Sequence, residues 1–260
     1  MRIELIEIGQ RESRIPENMN FRRYIGKENG NRPQFSMPIS GTNLSALKNI
    51  GIKASFLDFS IISDSGLSYS EDLTKKISLL HKSNPECDVI LFYAAKFKNN
   101  INKSYYGSPR KVSLDDVQFL HDFEISLKVS TINACHLLFN EDFGPGGKFP
   151  YYENKVFVAD ALKLGLSVMA IPGSMEIYTE KIYWEKELSS IRQKSLGAAL
   201  CNIYGIKYIH KYIAVSMGKL IENEKATNRI NDWAIAKIEL LLKGAYDYLN
   251  FTDNGKHIAY

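Results

Sequence analysis

Apolar and polar positions along the chain alternate between two periods, and the switching predicts a run of strands and helices. Residues 3–8 (IELIEI) alternate one by one and read as an edge strand. Residues 9–41 are rich in Arg, Asn, Gly and Pro, show no sustained period, and read as an irregular excursion. Thr42 or Asn43 is placed to cap a short helix, LSALKNI, with Gly51 as its stop. KASFLDFS then reads as a strand, IISDSGLS as a loop, and SEDLTKKISLLHK as a helix with Leu73, Ile77 and Leu80 on one face. Pro85 ends that helix. DVILFYAA (88–95) is a continuous apolar run of strand length, as expected of a strand covered on both faces.

A polar loop at 96–111 leads to a helix over 113–123 with Ser113 as its cap. SLKVSTINAC (126–135) reads as another strand. A turn-rich stretch at 140–154 precedes the helix VFVADALKLG and the strand LSVMAIPG. IYTEKIYWEKEL and SLGAALCNIYG read as amphipathic helices, IKYIHKYIAVS (206–216) as a strand, and 229–250 as a long amphipathic helix. The alternation of β and α predicts an α/β fold, a mainly parallel sheet flanked by helices on both faces. The expected organisation is an N-terminal strand and excursion (1–41), an α/β domain (42–228) and a C-terminal helix (229–260) packed on the same domain.

Composition narrows the classes. With 260 residues, 45% hydrophobic and 24% charged, the chain is long enough for a sizeable core and is neither disordered nor disulfide-stapled. The net charge of +4 is mild and the basic residues are scattered, so nucleic-acid binding is not indicated. The three cysteines, Cys87, Cys135 and Cys201, are an odd number with no metal-ligand spacing. No cofactor and no metal is expected. No apolar run has the length of a signal peptide or a membrane span, and the expectation is a cytoplasmic protein with no membrane contact.

Ligands of open α/β sheets bind beyond the carboxyl ends of the strands. Two predicted strand ends therefore matter: Tyr93-Ala94-Ala95-Lys96 and Asn133-Ala134-Cys135-His136. A cysteine in such a crevice serves as a nucleophile when a base is near. The competing reading makes Cys135 a small buried hydrophobe. The order of pieces resembles the caspase-like (clan CD) cysteine peptidases, in their CHAT and gingipain-like branches. The likeness covers about 42–220: DVILFYAA resembles the family strand that ends in His-Gly, VSTINACH the strand that ends in Ala-Cys, and KSLGAAL the small-residue helix that follows.

This resemblance implies a three-layer caspase-like sandwich and a Cys135 thiol that attacks the scissile carbonyl of a protein or peptide substrate. It implies Glu141, Asp142 and Glu176 as pocket walls favouring Arg or Lys. It also requires a histidine base where this chain has Ala95. Three accounts of Ala95 stand side by side: a histidine replaced by design, a natural pseudoenzyme, or a base supplied by His121 or His136. The alternative function is a non-catalytic Rossmann-like module that binds a nucleotide or a partner protein. Weaker features are FGPGGKF (143–149) as an anion cradle, the Asp115-Asp116 pair, and loop aromatics Tyr105-Tyr106 and Tyr151-Tyr152.

Overall fold

The computed structural model describes residues 3–10, 18–25, 33–40, 43–64, 67–69, 73–94, 108–120, 123–175, 177–179, 189–214 and 232–253. Its core is one mixed sheet. Strand β1 (Ile3–Gln10) begins it, and β2 (Asn18–Ile25) and β3 (Pro33–Ser40) follow as an antiparallel meander. This corrects two expectations. Residues 9–41 hold two strands rather than an irregular excursion, and β1 lies between β2 and β4 rather than at an edge. The alternation Phe35, Met37, Ile39 is a strand period, and Pro33 and Pro38 do not break it because β3 is the edge strand.

Helix α1 (Leu44–Ala54) leads through a short turn into β4 (Phe59–Asp64). Asn43 caps α1, its Oδ1 accepting from the Ala46 amide at 2.7 Å. Gly51 does not end this helix. It lies inside the helix and is buried. The strand starts later than the apolar run KASFL suggests, so IISD belongs to β4 and not to a loop. After β5 (Leu67–Tyr69) come α2 (Leu73–Ser83), β6 (Val89–Ala94) and the two-residue β7 (Arg110–Lys111). A 3₁₀ turn at Leu114–Phe119 leads to β8 (Phe123–Lys128), short helix α3 (Val129–Ala134), α4 (Glu153–Lys163), β9 (Val168–Met175) and β10 (Ile177–Thr179). Three helices close the described chain: α5 (Ser189–Tyr204), α6 over 206–214 and α7 (Asp232–Asp253).

The strand order is β3-β2-β1-β4-β8-β6-β9-β7, with β10 pairing β5 separately. Strands β1, β4, β6 and β9 run parallel to one another, while β8 is inserted antiparallel between β4 and β6. The fold is thus α/β, but its sheet is mixed and not mainly parallel. The five-stranded part β4-β8-β6-β9-β7 carries the apolar core. Its strands are covered on both faces, which is why Val89, Ile90, Leu91 and Phe92 are all fully buried. Val89, Leu91, Ile125 and Leu127 face the layer of α1, α3, α4 and α5, whereas Ile90, Met169 and Ile171 face α2 through Leu80.

Two further expectations change. IYT begins β10, so IYTEKIYWEKEL does not start as a helix. The stretch 206–214 is helical, with Tyr208 and Tyr212 and Ile209 and Ile213 recurring at the four-residue helical step. Helix α7 packs against α5 rather than on the sheet. The two backbones touch through reciprocal glycines: a Cβ on Gly197 would lie 1.9 Å from the Leu241 carbonyl oxygen, and one on Gly244 1.9 Å from that of Lys194.

Candidate functional site

Helices α1, α2 and α4 each enter the following parallel strand through a short turn. Their N-termini therefore point to the edge of the sheet where β1, β4, β6 and β9 end. At that edge the chain after α3 runs back along α1. Asn49 receives the Phe139 amide at 2.7 Å on its Oδ1, and its Nδ2 donates to the Phe139 carbonyl at 2.9 Å and to Glu141 Oε1 at 3.0 Å. Asn43 Nδ2 donates to the Glu141 carbonyl at 2.7 Å. Ser45 Oγ donates to the Phe143 carbonyl at 2.7 Å, and the Leu44 amide to that of Pro145 at 2.8 Å. One face of α1 thereby fixes the loop 139–146 at every second residue, Phe139, Glu141, Phe143 and Pro145.

Below this seam lies a buried charge. The Lys48 side chain is 1% exposed, and its Nζ donates to Glu153 Oε1 at 3.1 Å and to Asn154 Oδ1 at 3.0 Å. The ammonium also lies 5.1 Å from the centroid of the Phe139 ring. Glu153 and Asn154 open α4, so the carboxylate lies in the helix's positive first turn. Lys155, also buried, donates to the Gln118 carbonyl at 2.8 Å and stands over the Tyr152 ring. Tyr152 occupies the cap position with φ +74°, a left-handed conformation that a bulky residue adopts only when its surroundings hold it there. Its hydroxyl accepts from Arg192 Nε at 3.4 Å, and burial chiefly raises its pKa.

The residues named from the sequence are dispersed. Cys135 is the C-cap of helix α3, half-buried against the core, not a strand end. Val129 and Ile132, three residues apart, turn the segment after β8 into a helix that buries both. His136 follows with φ +51° and is exposed. Glu141 is exposed and held by Asn43 and Asn49. Asp142 is half-buried, its amide donating to Asn140 Oδ1 at 3.0 Å and its carbonyl accepting from Phe149 at 2.8 Å. Ala95, Glu176, His121 and Tyr105-Tyr106 lie outside the described residues.

The pairing of β8 separates the two strand ends that a peptidase needs together. Val89 pairs with Leu127 and Tyr93 with Phe123, so β6 finishes at one edge of the sheet and β8 at the other. Six residues of strand put those edges about 17 Å apart. Strand β6 ends at Ala94 on one edge and the segment leading to Cys135 leaves from the other, which overturns the caspase-like reading. FGPGGKF is likewise no anion cradle: the Gly144, Gly147 and Phe149 amides donate to the Phe149, Gly144 and Asp142 carbonyls. Gly146, with φ +85°, lies so close to Asn43 that a Cβ would meet its Cα at 2.7 Å. Asp116 closes a capping box on Ser113 and pairs with Arg110 at 2.7 Å. Among the described residues no three His, Cys, Asp or Glu side chains cluster as a metal site, and no helix is long and apolar enough to cross a membrane.

No family model and no curated protein sequence matches the chain. Among solved structures it is similar to S. aureus TarS. The TarS 1–349 structure matches at 11% identity with a TM-score of 0.46, over 83% of this chain and 73% of that one. TarS 1–349 in complex with UDP matches at 13% and 0.44, and in complex with UDP-GlcNAc at 14% and 0.45. The chain spans about half the length of these two complexes, 47% and 46%.

The sequence reading missed Lys48, Asn49 and Glu153. A signal was present. Leu44, Leu47, Lys48, Gly51 and Ile52 form one helical stripe, and a lysine inside an apolar stripe marks a cation that folding must pair.

Proposed function

We propose that the chain is an α/β module that binds a nucleotide at the carboxyl-end edge of β1, β4, β6 and β9, and that it does no peptidase chemistry. One observation carries this reading. Four parallel strands end on one edge, where α1 and α4 point their N-termini and where a dedicated polar seam holds the loop 139–146 in place. Nucleotides in open α/β folds lie in that position, outside the carboxyl ends of the parallel strands. The Lys48–Glu153–Asn154 cluster fixes the first turn of α4 against α1, which keeps the two helices in register at this edge. Its role is positional, since the ammonium is buried.

The test is calorimetric titration of the full chain with UDP, UDP-GlcNAc, ADP and GDP, each with and without Mg²⁺ or Mn²⁺. The first two are the ligands of the TarS complexes. Saturable binding of at least one, weakened by Asn49→Ala, supports the reading. Absence of any saturable heat or thermal shift with all four, on protein with an intact circular dichroism spectrum, overturns it. If a nucleotide-free sample instead captures a protein partner through the same edge, the module binds protein and the nucleotide reading is abandoned.

A further inference from the structure

On the face of the sheet opposite α1 and α4, the buried side chains of β4, β8, β6 and β9 meet α2. The contact is unusual for a helix that holds down an apolar layer, because its centre is an imidazole. His81 is 2% exposed. Its ring stacks on Phe59 at 3.9 Å between centroids, and Nε2 shares a hydrogen bond with Ser126 Oγ at 2.9 Å. Nδ1 is buried with no hydrogen-bond partner among the described residues. Ser126 is itself fully buried and pairs across the sheet with Ile61 and Ile90, so the imidazole stands over three adjacent strands. Leu80 beside it covers Cys87, Ile90, Met169 and Ile171.

We propose that His81 is an acid-sensitive latch: protonation of its imidazole releases α2 from the sheet in a local opening that uncovers Cys87 while the α5–α7 side stays closed. The site has room for a neutral ring only. An imidazolium carries two N–H donors; Ser126 satisfies one, and among the described residues nothing accepts the other. Helix α2 packs on β1 as well as on β4 and β8; among the described side chains, those facing the ring from the sheet are Phe59 on β4 and Ser126 and Lys128 on β8. Lys128 is the charged one, and it opposes a second positive charge. Lys82, the next residue of α2, is exposed. Lys128 Nζ also reaches the Pro85 carbonyl at 3.4 Å, just beyond the helix, so the cation that repels imidazolium also ties down the α2 turn.

Burial first, and Lys128 second, lower the His81 pKa from 6.5 to about 4. In the opened form the ring returns to the ordinary value. The open state therefore binds the proton more tightly, and opening is favoured as pH falls from 6.5 towards 4. Between pH 7 and pH 5 the open population should rise roughly 20-fold from these two values.

The experiment labels the intact chain with dithiodipyridine, at reagent levels low enough that closing outruns labelling, and maps the modified cysteines by mass spectrometry. Cys135, half-buried on α3, reports the pH dependence of the reagent, and Cys201, buried between α5 and α7, reports global unfolding. The Cys87/Cys135 rate ratio should rise roughly 20-fold from pH 7 to pH 5 with Cys201 unchanged. In His81→Leu the ratio should be flat with pH. If that variant does not fold, Lys128→Gln serves: with the repelling charge gone, the rise from pH 7 to pH 5 should shrink. A flat wild-type ratio, an equal rise in His81→Leu, an unaltered rise in Lys128→Gln, or Cys201 rising together with Cys87 overturns the proposal.

Discussion

Replacing Lys48 by methionine removes one charge from a site that water barely reaches. The stem volume is nearly kept, so the apolar stripe of Leu44, Leu47 and Ile52 stays filled. What changes is the partner set. Glu153, 12% exposed at its side chain, loses the cation at 3.1 Å, and Asn154 Oδ1 loses a donor at 3.0 Å. Breaking a buried pair from one side costs about 3–5 kcal/mol, because the remaining charge stays desolvated. Glu153 keeps some solvent and the α4 first turn, so the lower end, about 3 kcal/mol, is expected. Over 260 residues the unfolding entropy is roughly 0.55 kcal/mol/K, which turns this into a Tm drop of about 5 °C. The decisive comparison is Lys48→Met with Glu153→Gln. Neutralising both should recover at least half of the loss, since no uncompensated charge remains. Thermal and urea unfolding of the wild type, both single variants and the double variant give the coupling directly. Additive losses, or a Lys48→Met loss below about 0.5 kcal/mol, would falsify the claim that the buried Lys48 ammonium depends on Glu153.

Gly197→Ala should destabilise despite its better helix propensity. The propensity gain is about 1 kcal/mol, but the new Cβ would meet a carbonyl oxygen at 1.9 Å and must push two backbones apart, at about 3 kcal/mol. A raised Tm in this variant refutes the α5–α7 contact. Gly244→Ala should behave alike, and the pair should be less than additive because one separation relieves both clashes. Asn49→Ala strips both backbone bonds from Phe139 and should loosen loop 139–146, seen as faster amide exchange there, at a cost of about 2 kcal/mol. Asp160, whose pKa burial raises to about 6 against the pull of Lys163, is held in a site that prefers its neutral form. Its contribution is therefore full below pH 4 and declines as pH rises to about 6. Asp160→Asn should flatten stability over that window, and an unchanged pH profile would contradict it.

The helices were legible in the sequence wherever an apolar stripe coincided with a cap. Asn43, Gly165 and Gly205 mark real boundaries, the last two with φ near +80°, whereas Ser113 opens a 3₁₀ turn at Leu114–Phe119 and not the helix expected over 113–123, whose last residue, Phe123, begins β8. The strands were legible where both faces are buried, as in β6. The failures have physical causes. SLKVSTINAC carries β-branched residues through both its strand and its helical half, so period alone could not find the turn at Lys128. Local preference there yields to the packing of Val129 and Ile132. Stretch 9–41 hides its strands because its prolines read as breakers, although an edge strand tolerates them.

The orientation of β8 is what no local pattern records, and the candidate site turned on it. A continuous apolar strand reads the same in either direction. Alternating β and α elements make parallel pairing the default, and that default placed Cys135 beside the end of β6. Reversing one strand moved the cysteine to the far edge and left the near edge to α1, α4 and the loop between α3 and α4. The polar residues at that edge were visible as exceptions inside apolar stripes: Lys48 on α1, and His81 on α2 on the other face. Each lies where a leucine would be less costly to bury. Each is buried with a specific partner, Glu153 in one case and Ser126 in the other. A polar residue at a buried helical position thus located both the seam of the candidate site and the latch on the opposite face, without reference to any nucleophile.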